Sequence, residues 1–320
     1  MRIRRRFYER HPQRQRRLSK PVISVGNLSV GGTGKSPVVA AIAQWLIDQG
    51  QRPAILSRGY ARAEAVDGVV VVSDGSRVLA PLDRSGDEPM MLAQQVPPAI
   101  ICVSPDRFLA GTLAERELGA TVHVLDDGFQ HIELARDLDV LVTTVGEIPN
   151  GRVIPAGRLR EPLDAAARAQ FLVVTDATFG AASAEGWTLG ISQACGSRRT
   201  LGAPIGVRDQ GTGIRDQGTT VLVVAGIAHP ERFTQSLKDA GWNVVDSIAF
   251  RDHHRYAASD IDVIAARVKA SDATAVFTTD KDAVRFECIG NIPFPLYRVP
   301  LHLEFDPDSA LFQSVKAVLR

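Results

Sequence analysis

The chain has 320 residues, of which 45% are apolar and 23% are charged, and its formal net charge is +1. These values are typical of a globular protein with one large domain or two smaller ones. Three widely spaced cysteines, Cys102, Cys195 and Cys288, argue against a cysteine metal site or a disulfide framework and fit a reducing compartment. No run approaches the ~20 apolar residues of a membrane span. No apolar stretch follows the basic N-terminus, so no signal peptide is expected.

The first twenty residues form a strongly basic segment, with eight arginines and one lysine against one glutamate. One interpretation is a solvated basic tail, as most charge runs are. The other is attraction to an anionic membrane surface, at about 1 kcal/mol per well-placed basic residue. Ile3, Phe7 and Tyr8 would add a weak apolar contact. The sequence leaves both interpretations open.

Short apolar runs alternate with helical patterns over the first part of the chain. The predicted strands are PVISVGN, PAILSRGY, DGVVVVSDG, AIICVSPDR, TVHVLDDG, LDVLVTT and QFLVVTD. Near-continuous apolar strands that alternate with helices indicate an α/β fold with a mainly parallel sheet and helices on both faces. Ligands of such sheets bind beyond the carboxyl ends of the strands, so the loops there are the expected site.

The α/β pattern stops near residue 200 and then restarts. The polar stretch GVRDQGTGIRDQGTT contains RDQGT twice and predicts a linker over 206–218. TVLVVAGIA, WNVVDSIAF and AVFTTDKDA, with two helices between them, predict a second, smaller α/β domain over 219–300. We therefore expect a basic segment over 1–20, a core domain over 21–205 and a C-terminal helix within 301–320.

The stretch VGNLSVGGTGKSP resembles a phosphate-binding loop (P-loop), for which the usual pattern is GxxxxGK[ST]. Its last three positions match, but Ser29 stands where the first glycine is expected. Backbone N–H groups of the turn and the following helix would surround phosphate oxygens. Lys35 would contact the β- and γ-phosphates, and the Ser36 hydroxyl would bind Mg²⁺. The residues predicted to bind the nucleotide are Ser29, Gly31, Gly32, Thr33, Gly34, Lys35 and Ser36. The core is therefore predicted to be a P-loop domain, since a plain strand–helix turn needs no GKS ending.

Two classes of P-loop protein fit the sequence poorly. Deviant-loop ATPases carry a second lysine at the position that Val30 occupies. A GTPase needs an NKxD motif, and the nearest string, TDKD at 279–282, does not match it. A kinase or an ATPase remains.

Acidic residues lie beside two of the predicted elements. Asp126 and Asp127 end the apolar strand in TVHVLDDGFQH, where a Walker-B-type acid holds Mg²⁺, although DG is also a common turn pair. Asp87 and Glu88 precede an apolar helix in RSGDEPMMLAQ, where acids also complement the helix dipole. The residues alone leave this second pair open.

A further candidate is the string FRDHHRY, with Asp252, His253 and His254. The same string is equally typical of a hydrogen-bonded surface turn. An aspartate that met one of these histidines across space would support general base catalysis, but spacing does not show that they meet.

Eight strings of this chain occur in the same order in the tetraacyldisaccharide 4'-kinases, which the chain resembles. They are SVGNLSVGGTGKSP, ILSRGY, SGDEPMMLA, VLDDGFQH, IPAGRLREP, AGIAHPERF, FRDHHRY and TTDKDAV, and the resemblance runs from about Pro21 to Val284. Serine or threonine is common in this family at the position of Ser29. The resemblance implies an ATP- and Mg²⁺-dependent kinase that phosphorylates the 4'-hydroxyl of the lipid A disaccharide precursor.

The resemblance also implies roles for single residues. Lys35 and Ser36 would hold the phosphates and Mg²⁺, and Asp87 would be the catalytic carboxylate that draws the proton from the sugar hydroxyl. His253 would pair with Asp87, and closure of the two domains would assemble the site and exclude water. The metal-associated positions are Ser36, Glu88, Asp126 and Asp127, and the further active-site candidates are Arg160 and Glu161.

The chain departs from the family pattern in two places. Many members begin with an apolar N-terminal helix thought to enter the inner membrane, whereas this segment is short and arginine-rich. Ala228 and His229 replace the usual glycine and asparagine, so we assign His229 no role.

The resemblance therefore implies a kinase at the cytoplasmic face of the bacterial inner membrane, attached peripherally to its anionic surface, and we expect it to be a monomer. Its partner would be the lipid A disaccharide precursor. Nucleic-acid binding is not expected, because the basic segment lacks interleaved aromatic residues. The alternative function is a P-loop ATPase switch or chaperone without a sugar acceptor.

Overall fold

The computed structural model describes residues 2–59, 62–64, 66–146, 151–208, 218–305 and 309–319. The strands are β1 (Val22–Gly26), β2 (Pro53–Ser57), β3 (Val70–Asp74), β4 (Ile100–Val103), β5 (Val122–Asp126), β6 (Leu138–Thr144), β7 (Phe171–Thr175), β8 (Ala194–Leu201), β9 (Ile205–Gly206), β10 (Thr220–Ala225), β11 (Asn243–Ala249), β12 (Ala275–Thr279), β13 (Leu296–Val299) and β14 (Leu301–Glu304). The α-helices are α1 (Arg2–Arg10), α2 (Lys35–Asp48), α3 (Leu82–Ser85), α4 (Asp87–Gln95), α5 (Arg107–Leu118), α6 (Phe179–Leu189), α7 (Pro230–Asp239), α8 (Ala258–Ala270), α9 (Asp280–Phe286) and α10 (Ala310–Ala317).

The chain forms two compact units, one of residues 1–199 with 303–320 and one of residues 200–302. The first unit contains a nine-stranded sheet in the order β14-β8-β7-β6-β1-β5-β2-β4-β3. Strand β1 lies near its middle and pairs in parallel with β5 and β6. Among the pairings of this sheet, β3 runs antiparallel to β4. The predicted mainly parallel P-loop sheet is confirmed.

The central strands of the first unit are buried because both faces of the sheet are covered. Every residue of β1, β2, β5, β6 and β7 is buried, which explains their near-continuous apolar sequences. Helices α2 and α5 pack on this sheet through small and branched side chains such as Ile42 and Ala110, which are fully buried. The parallel pairing brings the loops after β1 and β5 to the same edge of the sheet.

The second unit is a smaller α/β structure, as predicted. Its five-stranded sheet has the order β11-β10-β12-β13-β9, with β10 parallel to β11 and β12. The short strand Ile205–Gly206 pairs antiparallel with β13, so it belongs to this sheet although the sequence placed it at the core-to-linker boundary. Most of the predicted linker, residues 209–217 with much of the RDQGT duplication, lies outside the described residues.

The chain termini contribute to the first unit. Arg16 donates to both carboxylate oxygens of Asp106 at 2.8 Å, and Leu18 is buried in the core. Near the other terminus, Phe312 of α10 stacks on Trp45 of α2, with ring centroids 5.5 Å apart. Over the residues that the structure describes, no helix has the length and hydropathy needed to cross a membrane.

Candidate active site

The P-loop connects β1 to α2 through a turn that contains two glycines with positive φ angles. Gly31 and Gly34 have φ angles of 122° and 84°, which side-chain-bearing residues rarely adopt. Inside the turn, the Asn27 amide donates to the Thr33 hydroxyl at 3.0 Å. Helix α2 begins at Lys35, so its first N–H groups face the turn. A Cβ built on Gly32 would meet nothing within 4 Å, which leaves the turn open.

The backbone conformation of Ser29 explains why the loop does not need a glycine at this position. Its backbone does not adopt a positive φ, so the conformation there does not require glycine. Instead, Ser29 forms an antiparallel bridge to Leu159, and Val30 N–H donates to the Arg158 carbonyl at 2.8 Å. The segment 158–160, from the string IPAGRLREP, is thereby fixed beside the P-loop.

Lys35, Asp127 and Arg160 form a charged cluster at the end of the loop. Lys35 Nζ lies 3.5 Å from Asp127 Oδ1, and Arg160 Nη1 donates to both Asp127 oxygens at 2.8 and 2.7 Å. Burial alone would raise the pKa of Asp127, but the positive charges of Lys35 and Arg160 hold it below its ordinary value. Asp127 is therefore ionised and links the loop lysine to Arg160.

Asp126, the last residue of β5, is held in a different environment from its neighbour. It is almost fully buried, and the Ser57 hydroxyl donates to its Oδ2 at 3.3 Å. Burial, together with the negative charges of Glu88 and Asp127, raises the pKa of Asp126 to about 7. A bound cation would relieve this concentration of negative charge.

The two carboxylates of the string GDEP lie at the start of α4. Gly86, with φ 85°, turns the chain between α3 and α4, and Asp87 is the first residue of α4. Both Asp87 and Glu88 are half-buried. Glu88 is near enough to raise the pKa of Asp126, so the structure brings the GDEP and LDDG strings together in the first unit.

Arg160 and Glu161 have different surroundings although they are adjacent in sequence. Arg160 belongs to the charged cluster, whereas both oxygens of the buried Glu161 accept from Arg168 Nη2 at 3.1 and 3.2 Å. The Arg168 guanidinium in turn lies over the Phe129 ring, 4.6 Å from its centroid. Glu161 therefore supports the loop that carries Arg160.

His253 lies in the second unit, in a turn with little freedom. It has φ 58°, and its N–H donates to the Gly226 carbonyl at 3.2 Å. Its ring atom Nε2 is 3.1 Å from Nζ of Lys281, in the string TTDKDAV. Asp87 belongs to the first unit and His253 to the second.

The other two histidines of interest make local contacts. His254 Nε2 lies 2.9 Å from Asp260 Oδ2, and its ring stacks on Phe250. His229 precedes α7 and is bonded to Glu231 at 3.2 Å. Both contacts fit structural roles on the surface of the second unit.

Three cationic residues near these strings were missed by the sequence reasoning. Arg107 is 4% exposed, and burial lowers its pKa to about 10, while the charge of Asp126 acts in the opposite direction. Arg158 Nη2 donates to the Val30 carbonyl at 3.0 Å, above Gly31. Lys281 contacts His253. The available signal for Arg107 was its position after β4, at the carboxyl edge, and the signal for Arg158 was its i, i+2 spacing from Arg160.

The residues present fit a nucleotide and Mg²⁺. Mg²⁺ is usually held by one or two carboxylates plus substrate phosphates rather than by a complete protein cage. Across the described ranges, no group of three or more His, Cys, Asp or Glu side chains forms such a cage. The ionised form of Asp126 is disfavoured by burial and by the negative charges of Glu88 and Asp127, and its carboxylate also senses the charge of Lys35, so it could provide oxygen ligands to such a cation.

Comparisons with known proteins agree with this geometry. The sequence profile of the tetraacyldisaccharide-1-P 4'-kinases matches residues 1–320. The tetraacyldisaccharide 4'-kinase of Pelobacter propionicus is 41% identical over 276 residues, which are 85% of this chain and 75% of that protein. The enzyme of the same name from Geobacter sulfurreducens is 38% identical over 312 residues, covering 96% and 86% of the two chains.

A solved structure is also similar over nearly the whole chain. The crystal structure of LpxK from Aquifex aeolicus in complex with ATP superposes with a TM-score of 0.79 at 28% identity, and the match covers 99% of this chain and 94% of that one. The P-loop, the acidic strings and the full-length sequence match together show that this chain belongs to the tetraacyldisaccharide-1-P 4'-kinase family.

Proposed function

We propose that this protein transfers the γ-phosphate of ATP to the 4'-hydroxyl of the tetraacyldisaccharide 1-phosphate precursor of lipid A. The observation that carries the proposal is the convergence of Lys35, Asp127 and Arg160 on the open P-loop of a member of this family. Phosphoryl transfer requires mainly positioning and neutralisation of charge, and this cluster provides both.

The P-loop binds the donor. Its N–H groups and the N-terminus of α2 surround the phosphates, and Lys35 reaches the β- and γ-phosphates. Arg160 and Lys35 both contact Asp127. Arg160 therefore adds a second positive charge close to that of Lys35. Both side chains stabilise the negative charge that the transferred group carries.

The metal site consists of Ser36, Glu88, Asp126 and Asp127. Asp126 is the proposed direct carboxylate ligand, since Asp127 already bonds Arg160. When bound there, Mg²⁺ would neutralise charge on the phosphate oxygens. The negative charges of Glu88 and Asp127, which act on Asp126, would help to attract the cation at longer range.

The acceptor hydroxyl needs a base, because a sugar hydroxyl is a weak nucleophile. Asp87 is the proposed base. Its half-buried carboxylate begins α4 directly before Glu88, so it lies one residue from the metal-associated group. His253 is assigned the supporting proton-handling role that the family resemblance implies, and its constrained backbone supports this assignment. Glu161 keeps Arg160 in place through Arg168.

The site of action that we propose is the cytoplasmic face of the inner membrane, with peripheral attachment. Helix α1 presents Arg6, Phe7 and Arg10 to solvent, and Phe7 is 45% exposed. Arg5 and Arg16 instead pair with Asp164 and Asp106. Co-sedimentation with anionic and with neutral vesicles tests this proposal. Binding that is independent of lipid charge would contradict it.

The assay that tests the function uses purified protein, Mg²⁺, radiolabelled ATP and disaccharide 1-phosphate. A labelled lipid is expected. Hydrolysis of ATP without any labelled lipid would instead support the alternative, a P-loop ATPase switch or chaperone. We further propose that the protein acts as a monomer, and the mutual contacts of Lys35, Asp127 and Arg160 within the first unit support this proposal. Light scattering of the purified protein tests that point.

A further inference from the structure

The string TTDKDAV contains a lysine that the proposed reaction does not yet use. Lys281, in the first turn of α9, places Nζ 3.1 Å from Nε2 of His253 and 3.3 Å from Oδ1 of Asp252. The lysine side chain is 17% exposed and the histidine side chain 27%. Lys281 is therefore a largely buried cation against one particular nitrogen of the His253 ring.

The chemistry of this contact determines which ring nitrogen carries a proton. A lysine ammonium has three donors and no acceptor. A ring nitrogen that accepts from this ammonium must do so with its lone pair, so the contact requires Nε2 of His253 to be unprotonated. The single proton of the neutral imidazole then resides on Nδ1.

We propose that Lys281 is a positioning residue that fixes His253 as the neutral tautomer protonated at Nδ1. This inference rests on the proton-handling role proposed above for His253. In that tautomer Nδ1–H can donate a hydrogen bond to a carboxylate base. The opposite tautomer would present a lone pair at Nδ1 and repel a carboxylate.

The surroundings of Lys281 keep this contact in place. Asp252 accepts from Lys281 and also from the N–H of His253 at 3.0 Å, so one carboxylate holds both partners. The Asp252 oxygen lies 4.0 Å from Nε2, beyond hydrogen-bond distance, whereas Nζ of Lys281 lies 3.1 Å from the same nitrogen.

Asp282, the residue after Lys281, stabilises the backbone next to the turn that contains His253. Asp282 is fully buried and accepts from the Gly226 N–H at 3.0 Å and from the Tyr256 hydroxyl at 3.1 Å. Arg285 donates to the Gly226 carbonyl, the group that also binds the N–H of His253. Adjacent residues of one motif thus orient the ring of His253 and its main chain.

The tautomer is measured by long-range ¹H–¹⁵N correlation spectra of the full-length protein labelled with ¹⁵N-histidine. His253→Gln identifies the His253 signals. In the wild type we expect a protonated Nδ1 and an unprotonated Nε2. Lys281→Met should increase the form protonated at Nε2, and Lys281→Arg, which also only donates, should restore the wild-type pattern. A wild-type ring protonated at Nε2, or an unchanged spectrum in Lys281→Met, would overturn the proposal.

Kinetics separate this role from simple support of the fold. Lys281→Met should lower kcat by about 10- to 100-fold with an unchanged KM for ATP, since proton transfer and not donor binding is affected. Lys281→Arg should recover part of kcat. Lys269→Met, an exposed lysine of α8, is the matched control and should change neither. A changed tautomer with an unchanged kcat would overturn the positioning role. Absence of any labelled lipid with the wild type would overturn the proposed function instead, and the spectra would still test the tautomer.

Discussion

Lys35 Nζ lies 3.5 Å from Oδ1 of Asp127, on the carboxylate that Arg160 binds through both oxygens. The P-loop lysine is therefore held by an internal anion, in the region where phosphates would bind. Two cations share one carboxylate, so one positive charge stays unbalanced and is able to attract the phosphates of a nucleotide. The contribution of the Asp127 charge can therefore be tested by comparing stability with and without a nucleotide.

Asp127→Asn should destabilise the protein without nucleotide by about 1 kcal/mol, since the carboxylate is partly exposed and screened. Saturating ATP should reduce this loss, because phosphates would replace the missing negative charge. Thermal unfolding with and without ATP measures both effects. Asp164→Asn, which removes the exposed pair with Arg5, is the control and should not respond to ATP. An equal loss with and without ATP would contradict the shared-cation interpretation.

Asp87→Asn tests the proposed base. Turnover should fall by about 10²- to 10⁴-fold, the usual contribution of general base catalysis, whereas the Kd of ATP should stay nearly constant. Single-turnover kinetics and a nucleotide-binding titration give the two numbers. Asp83→Asn, at an exposed position of α3, should leave both unchanged. Comparable losses in turnover and in ATP affinity would remove Asp87 from this role.

Gly34→Ala tests the conformation of the P-loop. At φ 84° alanine is strained by about 1–2 kcal/mol, and its Cβ would lie 3.1 Å from the Thr175 methyl group. We expect a lower Tm and weaker ATP binding. Gly32→Ala is the matched control for stability, because a Cβ there meets nothing within 4 Å. Equal Tm values for the two variants would show that the loop tolerates a side chain at position 34.

Asp126→Asn tests the pKa of the buried carboxyl group. The pKa of Asp126 is raised from 3.8 to about 7, so the folded state binds this proton more tightly than the unfolded state. The ionised carboxylate therefore lowers the free energy of unfolding, by an amount that grows as pH rises between these values and is complete above the higher one.

Without Mg²⁺ or nucleotide, Asp126→Asn should stabilise the protein more at pH 8 than at pH 5, by about 2 kcal/mol. Chemical unfolding at the two pH values gives this difference. Asp48→Asn, at an exposed position of α2, should show no such dependence. A gain that is the same at both pH values would mean that Asp126 titrates like an ordinary aspartate.

Local patterns predicted most of the sheet strands and the P-loop, and the structure contains them. Strand β8 was missed because ACGSRRTL has neither a continuous apolar run nor a clear alternation. Its first residues are nevertheless buried, since it pairs in parallel with β7. Tertiary pairing selected a strand there that local propensity did not indicate.

Within the site, the sequence identified Asp126 and Asp127 but did not distinguish them. They are adjacent, yet Asp127 turns into a left-handed conformation with φ 53° and bonds Arg160, whereas Asp126 stays in the strand beside Ser57. The contact between Lys281 and His253 was equally beyond prediction, because 28 positions separate them and no pattern links them.

The sequence by itself determined where the phosphate loop, the buried strands and the acidic strings occur, because each depends on residues close together in the chain. The tertiary structure decided which charges meet. It placed Arg160 on Asp127, Glu88 near Asp126 and Lys281 on His253. The physical reason is that the pKa and the protonated nitrogen of a side chain depend on burial and on charges within a few ångströms, and the fold brings those charges from distant parts of the chain.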